Sequence, residues 1–321
     1  MSEDRGRPSR SAGSTTAHAS RSVATHESIC PHRPRTTRSR RSKIQLLVVS
    51  LLSAGLQLTS PVHAAEEQAT QIGGIEVVVW SPADGDHRKL AVVLFSHALF
   101  MCPTQSRYLT SAIADAGYLV IAPRHADSGC NPFVWPSFWR MSMKPSLLWN
   151  DRDYRDRADD IRSVIDGLRE DVRYRSVADT DRLALIGHSL GGYTVLGLGG
   201  AWPSWRLAGV RAIVALTPYS MPFQLSEGLR RVTAPTMYQI GTLDPTFAMP
   251  IEHFGYEETP APKYLVEFSA ATHMAWTDFG ISDRDAIIGY SIAFLDFYVR
   301  QMPEAPALHV ALPGVSSLRS E

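Results

Sequence analysis

The chain has 321 residues, 44% of them hydrophobic and 20% charged. That composition excludes a disordered chain and allows one large α/β domain or two small ones. The formal net charge of zero hides a split: residues 1–43 hold ten Arg or Lys against Glu3, Asp4 and Glu27, a balance of +7, so the body from Ala65 onward carries −7. A mildly acidic body gives no reason to expect nucleic acid as a partner.

The basic head has no apolar period and reads as targeting. It runs through Arg40-Arg41-Ser42-Lys43 into an uncharged apolar stretch from Ile44 to Leu58, then Val62-His63-Ala64-Ala65. Positive flank, short apolar core and small residues before a cut site are the parts of a secretory signal, with cleavage expected after Ala64. The apolar stretch falls short of the roughly 20 residues that a bilayer span requires. A secreted or periplasmic protein with no stable membrane span is therefore expected. Cys30 leaves with the signal, and Cys102 and Cys130 remain.

Along the expected mature chain, Ile72–Trp80 reads as an early strand closed by a turn at Ser81-Pro82-Ala83-Asp84-Gly85. Leu90–Phe95 is a continuous apolar run, the pattern of a strand buried on both faces. Residues 104–116 read as a helix ending at Gly117, and Tyr118–Ala122 as the next buried strand. A helix over 154–173 follows from Tyr154, Ala158, Ile161, Ile165, Leu168 and Val172 at spacings of three and four. Further strands are expected at Leu183–Ile186, Val210–Leu216, Thr236–Ile240 and Tyr264–Phe268, with helices at Gly191–Ala201 and Ala286–Arg300. Strands alternating with helices imply a mostly parallel sheet covered on both faces. The domain is expected over 65–302, with 303–321 as an extended tail.

Directly after the strand Leu183–Ile186 stands Gly187-His188-Ser189-Leu190-Gly191-Gly192. This is G-x-S-x-G between a strand and a helix, the context that gives the motif its meaning. The turn is sharp enough to strain the serine backbone, and its neighbours must be glycines because side chains there would clash. Ser189 is the expected nucleophile. A serine hydroxyl needs a base, and the base an orienting acid. Asp244 follows the strand Thr236–Ile240, and His273 follows Tyr264–Phe268, in the order serine, acid, histidine. The backbone N–H of Leu190 is one expected donor to a developing oxyanion.

Together with Ser96-His97-Ala98-Leu99, these motifs resemble the α/β-hydrolase superfamily over roughly residues 75–300. The nearest branch is that of secreted dienelactone-hydrolase-related and platelet-activating-factor-acetylhydrolase-like serine esterases. The resemblance implies an α/β-hydrolase fold and ester cleavage through an acyl-enzyme, with no metal or organic cofactor and a small-molecule ester as substrate. It implies a second oxyanion donor after the Leu90–Phe95 strand, by analogy the N–H of Leu99. The family usually has glycine where this chain has Ala98, so Ala98 and Leu99 both stay open. It also implies that the strands preceding Cys102 and Cys130 are neighbours, so an oxidising compartment permits a Cys102–Cys130 bridge. Serine in place of the cysteine nucleophile of dienelactone hydrolases proper argues against that branch.

Between Ala122 and the helix at 154, an insertion over about 127–153 is crowded with aromatic and methionine residues. A long stretch without period suits a lid, and Trp135, Phe138, Trp139 and Trp149 are expected to line an apolar acyl or aryl pocket, with Arg124 and His125 at its edge. The competing reading is that they simply cover the sheet. The same machinery also serves amidases, thioesterases and polyester hydrolases. A non-catalytic binding protein on this scaffold is the alternative of another class. A monomer is the default.

Overall fold

The computed structural model describes residues 65–83, 89–130 and 144–321. The expected signal segment over 1–64 lies outside the described residues, as does the stretch 131–143 of the 127–153 insertion, including Trp135, Phe138 and Trp139.

The chain is α/β. Among the described residues nine strands form one sheet: β1 (Glu66–Ile72), β2 (Ile75–Ser81), β3 (Leu90–Ser96), β4 (Tyr118–Pro123), β5 (Ala178–His188), β6 (Val210–Leu216), β7 (Thr236–Gly241), β8 (Lys263–Phe268) and β9 (Val315–Ser320). Their order across the sheet is β1-β2-β4-β3-β5-β6-β7-β8-β9. The six strands from β4 to β8 run parallel, and β1, β2 and β9 pair antiparallel at the two ends. Apolar runs mark the central strands because both faces are covered. In β3, Val92 and Leu94 face one core, while Ala91, Val93 and Phe95 face the other.

Helices α1 (Arg107–Asp115), α2 (Arg155–Glu170), α3 (Leu190–Leu196), α4 (Pro245–Pro250), α5 (Tyr256–Glu258) and α6 (Arg284–Tyr298) complete the frame. Ala158, Ile161 and Leu168 of α2 join Val195 and Leu196 of α3 in the first core. Leu109 and Ile113 of α1 join Ile287, Tyr290 and Phe294 of α6 in the second.

Three expectations change. The early strand is a hairpin: Gly73 and Gly74, at φ 59° and 78°, turn β1 into β2. Two successive positive-φ residues are what a tight hairpin with the twist of its strands requires. The missed strand, β1, is polar and mostly exposed, so it carries no apolar pattern. Val172 lies beyond the end of α2 and is 67% exposed, outside the apolar stripe. The segment 303–321 is not an extended tail. Leu308 is fully buried, and β9 pairs with β8 from Tyr264–Ser320 to Phe268–Val315. Its Ser-rich sequence suits an edge strand, which needs hydrogen bonds rather than apolar burial.

Candidate active site

Strand β5 ends at His188 and α3 begins at Leu190, so Ser189 alone makes the turn, with φ 55° and ψ −115°. A non-glycine residue there is strained. Its N–H donates to the Leu216 carbonyl (3.0 Å), and its own carbonyl accepts from Tyr219 (2.9 Å). A Cβ on Gly187 would strike the carbonyl of Gly191, and one on Gly191 would strike the carbonyl of Ser96. The second approach brings the Ser189 turn against the loop after β3.

Asp244 and His273 meet because the loops after β7 and β8 are tied together. Leu243 N–H donates to Ala271 O (3.0 Å), Thr242 N–H to Phe268 O (3.1 Å), and Ala270 N–H to Thr242 Oγ1 (2.8 Å). His273 Nδ1–H then donates to Asp244 Oδ2 at 2.7 Å. The same Oδ2 accepts the hydroxyl of buried Thr217 at 2.5 Å. Thr217 follows β6 at φ 36°, a strained angle for a β-branched residue. Strain held in a buried residue that orients a carboxylate marks a built site.

The His273 loop touches the Ser189 turn through His188. The Nε2–H of His188 donates to the His273 carbonyl at 2.9 Å, and the two rings lie 4.9 Å apart. Burial, with the His273 ring close by, pushes His188 down to about 3, so it stays neutral. His188 Nδ1 accepts from Gln105 Nε2 (2.9 Å), while Gln105 Oε1 accepts the N–H of Ala98 (2.8 Å). The Ala98 N–H is thus occupied. Among the described residues no hydrogen bond is seen at the N–H of Leu99 or of Leu190. Ala98 has no left-handed backbone, so alanine fits where glycine is usual in the resembling family.

A second polar array lies beneath this loop. Ser96 Oγ–H donates to His125 Nε2 (3.0 Å), and His125 Nδ1–H donates to Asp160 Oδ2 (2.8 Å). It has the residue types of a triad, but Ser96 is fully buried and His125 is 1% exposed. His125 is therefore not a pocket residue as expected, because both ring nitrogens are spent inside the core. Arg124 is also turned away, paired on the surface with Glu76 at 2.6 Å. Arg157 of α2, fully buried, holds Asp127 through two bonds of 2.9 and 2.7 Å and caps the His97 carbonyl at 2.7 Å. Burial holds His97 and His125 well below the usual histidine range, with the Arg157 guanidinium adding to it.

Trp149 stands on a different footing. Its ring lies 5.3 Å from Tyr219, Tyr219 lies 5.8 Å from Phe247, and Phe247 stacks on His273 at 4.0 Å. An aromatic run thus leads from the insertion to the histidine. Sequence reasoning missed Tyr219, Phe247, Thr217, Gln105 and Arg157. The first three follow β6 and β7 at the edge that carries Asp244. Arg157 sits four residues before Ile161, a charge in line with the apolar stripe of α2, and that misfit was its signal.

The disulfide Cys102–Cys130 is present, with Cα atoms 5.1 Å apart. β3 and β4 are parallel neighbours, which brings their following loops together. Ser128 Oγ and Gly129 N–H both donate to Met101 O (2.9 and 3.3 Å), so the bridge belongs to a seam along the loop after β3. No helix among the described residues is long and apolar enough to cross a membrane. No protein-family model matches the chain, and no curated protein matches it.

Proposed function

We propose that this chain is a secreted or periplasmic serine hydrolase of the α/β-hydrolase fold that cleaves carboxylic esters. The observation that carries the reading is the 2.7 Å bond from His273 to Asp244, on a loop bound to the strained turn of Ser189. In this reading His273 Nε2 takes the proton as Ser189 Oγ attacks the ester carbonyl. Asp244 fixes the imidazole and stabilises its charged form, and the N–H groups of Leu99 and Leu190 receive the oxyanion. The proton passes to the leaving alcohol. Water, deprotonated by His273, then frees the acid from Ser189. The rings of Phe247, Tyr219 and Trp149 favour an apolar acyl or aryl group.

The cheapest test is a fluorophosphonate probe beside a series of nitrophenyl esters. Labelling is expected at Ser189, and Ser189→Ala is expected to lower turnover by ~10⁶. A folded protein that takes no label, and hydrolyses esters equally well without Ser189, would refute the reading.

A further inference from the structure

Gln105 lies in none of the three motif loops, yet it touches all of them. It precedes α1 and is 5% exposed. Its Oε1 accepts the N–H of Ala98 at 2.8 Å. Its Nε2 donates to His188 Nδ1 at 2.9 Å and to Ser106 Oγ at 3.2 Å. His188 passes the link to the His273 carbonyl at 2.9 Å. The neighbouring groups repeat the connection: the Gln105 main-chain carbonyl accepts Asp278 N–H (2.7 Å), and the Ser106 hydroxyl donates to Trp276 O (2.6 Å). One amide thus spans the loop after β3, the nucleophile turn and the histidine loop.

We infer that Gln105 is a positioning residue that sets the Leu99 N–H against the oxyanion and holds the His273 loop in register with Ser189. The inference rests on the serine-hydrolase reading. The amide is suited to this because it offers an acceptor and a donor from one planar group. The acceptor occupies the Ala98 N–H, so the next N–H in the chain, that of Leu99, is the one this loop has left to offer an oxyanion. The donor fixes the tautomer of His188 with its proton on Nε2, the atom that holds the His273 carbonyl. A carboxylate or an apolar side chain of the same length makes at most one of these bonds. Donors to an oxyanion act through placement to within about half an ångström, so loosening the loop weakens transition-state binding more than substrate binding.

The test compares wild type, Ser189→Ala, Gln105→Met and Gln105→Asn in the mature protein. Methionine keeps the volume and removes both polar ends; asparagine keeps the amide one methylene short. Readouts are kcat and KM on 4-nitrophenyl butyrate, affinity for phenylboronic acid as a tetrahedral mimic, and the melting temperature. The expected result for Gln105→Met is a fall in kcat on the order of 10²-fold. Boronate affinity should fall in parallel and KM should stay within about twofold. If Gln105→Met does not fold, Gln105→Asn is expected to show the same split at roughly tenfold or more. A wild type that hydrolyses the ester through Ser189, with both Gln105 variants keeping its kcat, overturns the inference and spares the hydrolase reading. Loss of activity that tracks the melting temperature, with kcat, KM and boronate affinity all degraded, overturns it too, as a merely structural role. A wild type that neither hydrolyses the ester nor binds the boronate overturns both.

Discussion

Three neutral histidines in the core make acid the sharpest probe of this fold. His97, His125 and His188 are all nearly inaccessible. Burial lowers each, most of all, from the 6.5 expected of an exposed histidine, with Arg157 beside the first two and His273 beside the third. For His125 the Asp160 carboxylate favours the cation, but burial and the Arg157 guanidinium outweigh it. In the unfolded chain all three take protons below about pH 6.5. Their folded affinity is depressed, so the stability they contribute is full above 6.5 and is lost as pH falls from there towards the folded values. Lowering the pH from 7.5 to 5.5 costs about 1.4 kcal/mol for each histidine, about 4 kcal/mol in all. Total stability for a domain is only about 5–15 kcal/mol. Glu252 and Glu258, raised by burial, act in the opposite direction, since protonation suits their folded state. Urea denaturation at both pH values measures the loss. Unfolding calorimetry at pH 5.5 in two buffers of different ionisation enthalpy counts the protons. The histidines alone take up close to three, offset by what Glu252 and Glu258 release. In a Glu252→Gln, Glu258→Gln background that offset is removed, and an uptake below one there, or equal stability at both pH values, would refute the argument.

The other predictions concern single contacts. Thr217→Val removes the hydroxyl that shares Asp244 with His273; kcat should fall roughly 10- to 100-fold, as expected for a hydrogen bond to a charged group, with KM steady in the same ester assay. Arg157→Met leaves the Asp127 carboxylate buried and unpaired, at a cost of about 3–5 kcal/mol in urea denaturation. Adding Asp127→Leu should restore most of that loss. Cys102→Ser with Cys130→Ser opens a link across 28 residues and should lower stability by roughly 3–4 kcal/mol in the chain-entropy model, measured without reductant.

How far the sequence carries depends on what each residue answers to. Central strands were legible because a strand covered on both faces must be apolar along its length, as Leu90–Phe95 and Val210–Leu216 are. β1 was not, because Glu66–Gln71 need only pair at an edge. The His273–Asp244 bond was legible from chain order and strand ends alone. The Ala98 N–H was not, since its partner Gln105 is seven residues away in a segment that reads only as the approach to a helix. His125 shows the reverse failure. Its place at a strand end suited a pocket, but nothing local revealed that Ser96 and Asp160 would enclose it. Side chains that answer to distant partners leave no period to read.

The last strand has a consequence for how the protein is handled. β9 covers the open side of β8, whose main chain is otherwise paired only with β7. A protease cut after Met302 would strip that cover and leave the carbonyls and amides of Lys263–Phe268 bare along one side. Such a border invites a second molecule to add its own strand. Preparations clipped there would be expected to self-associate, although every group proposed for catalysis is still attached.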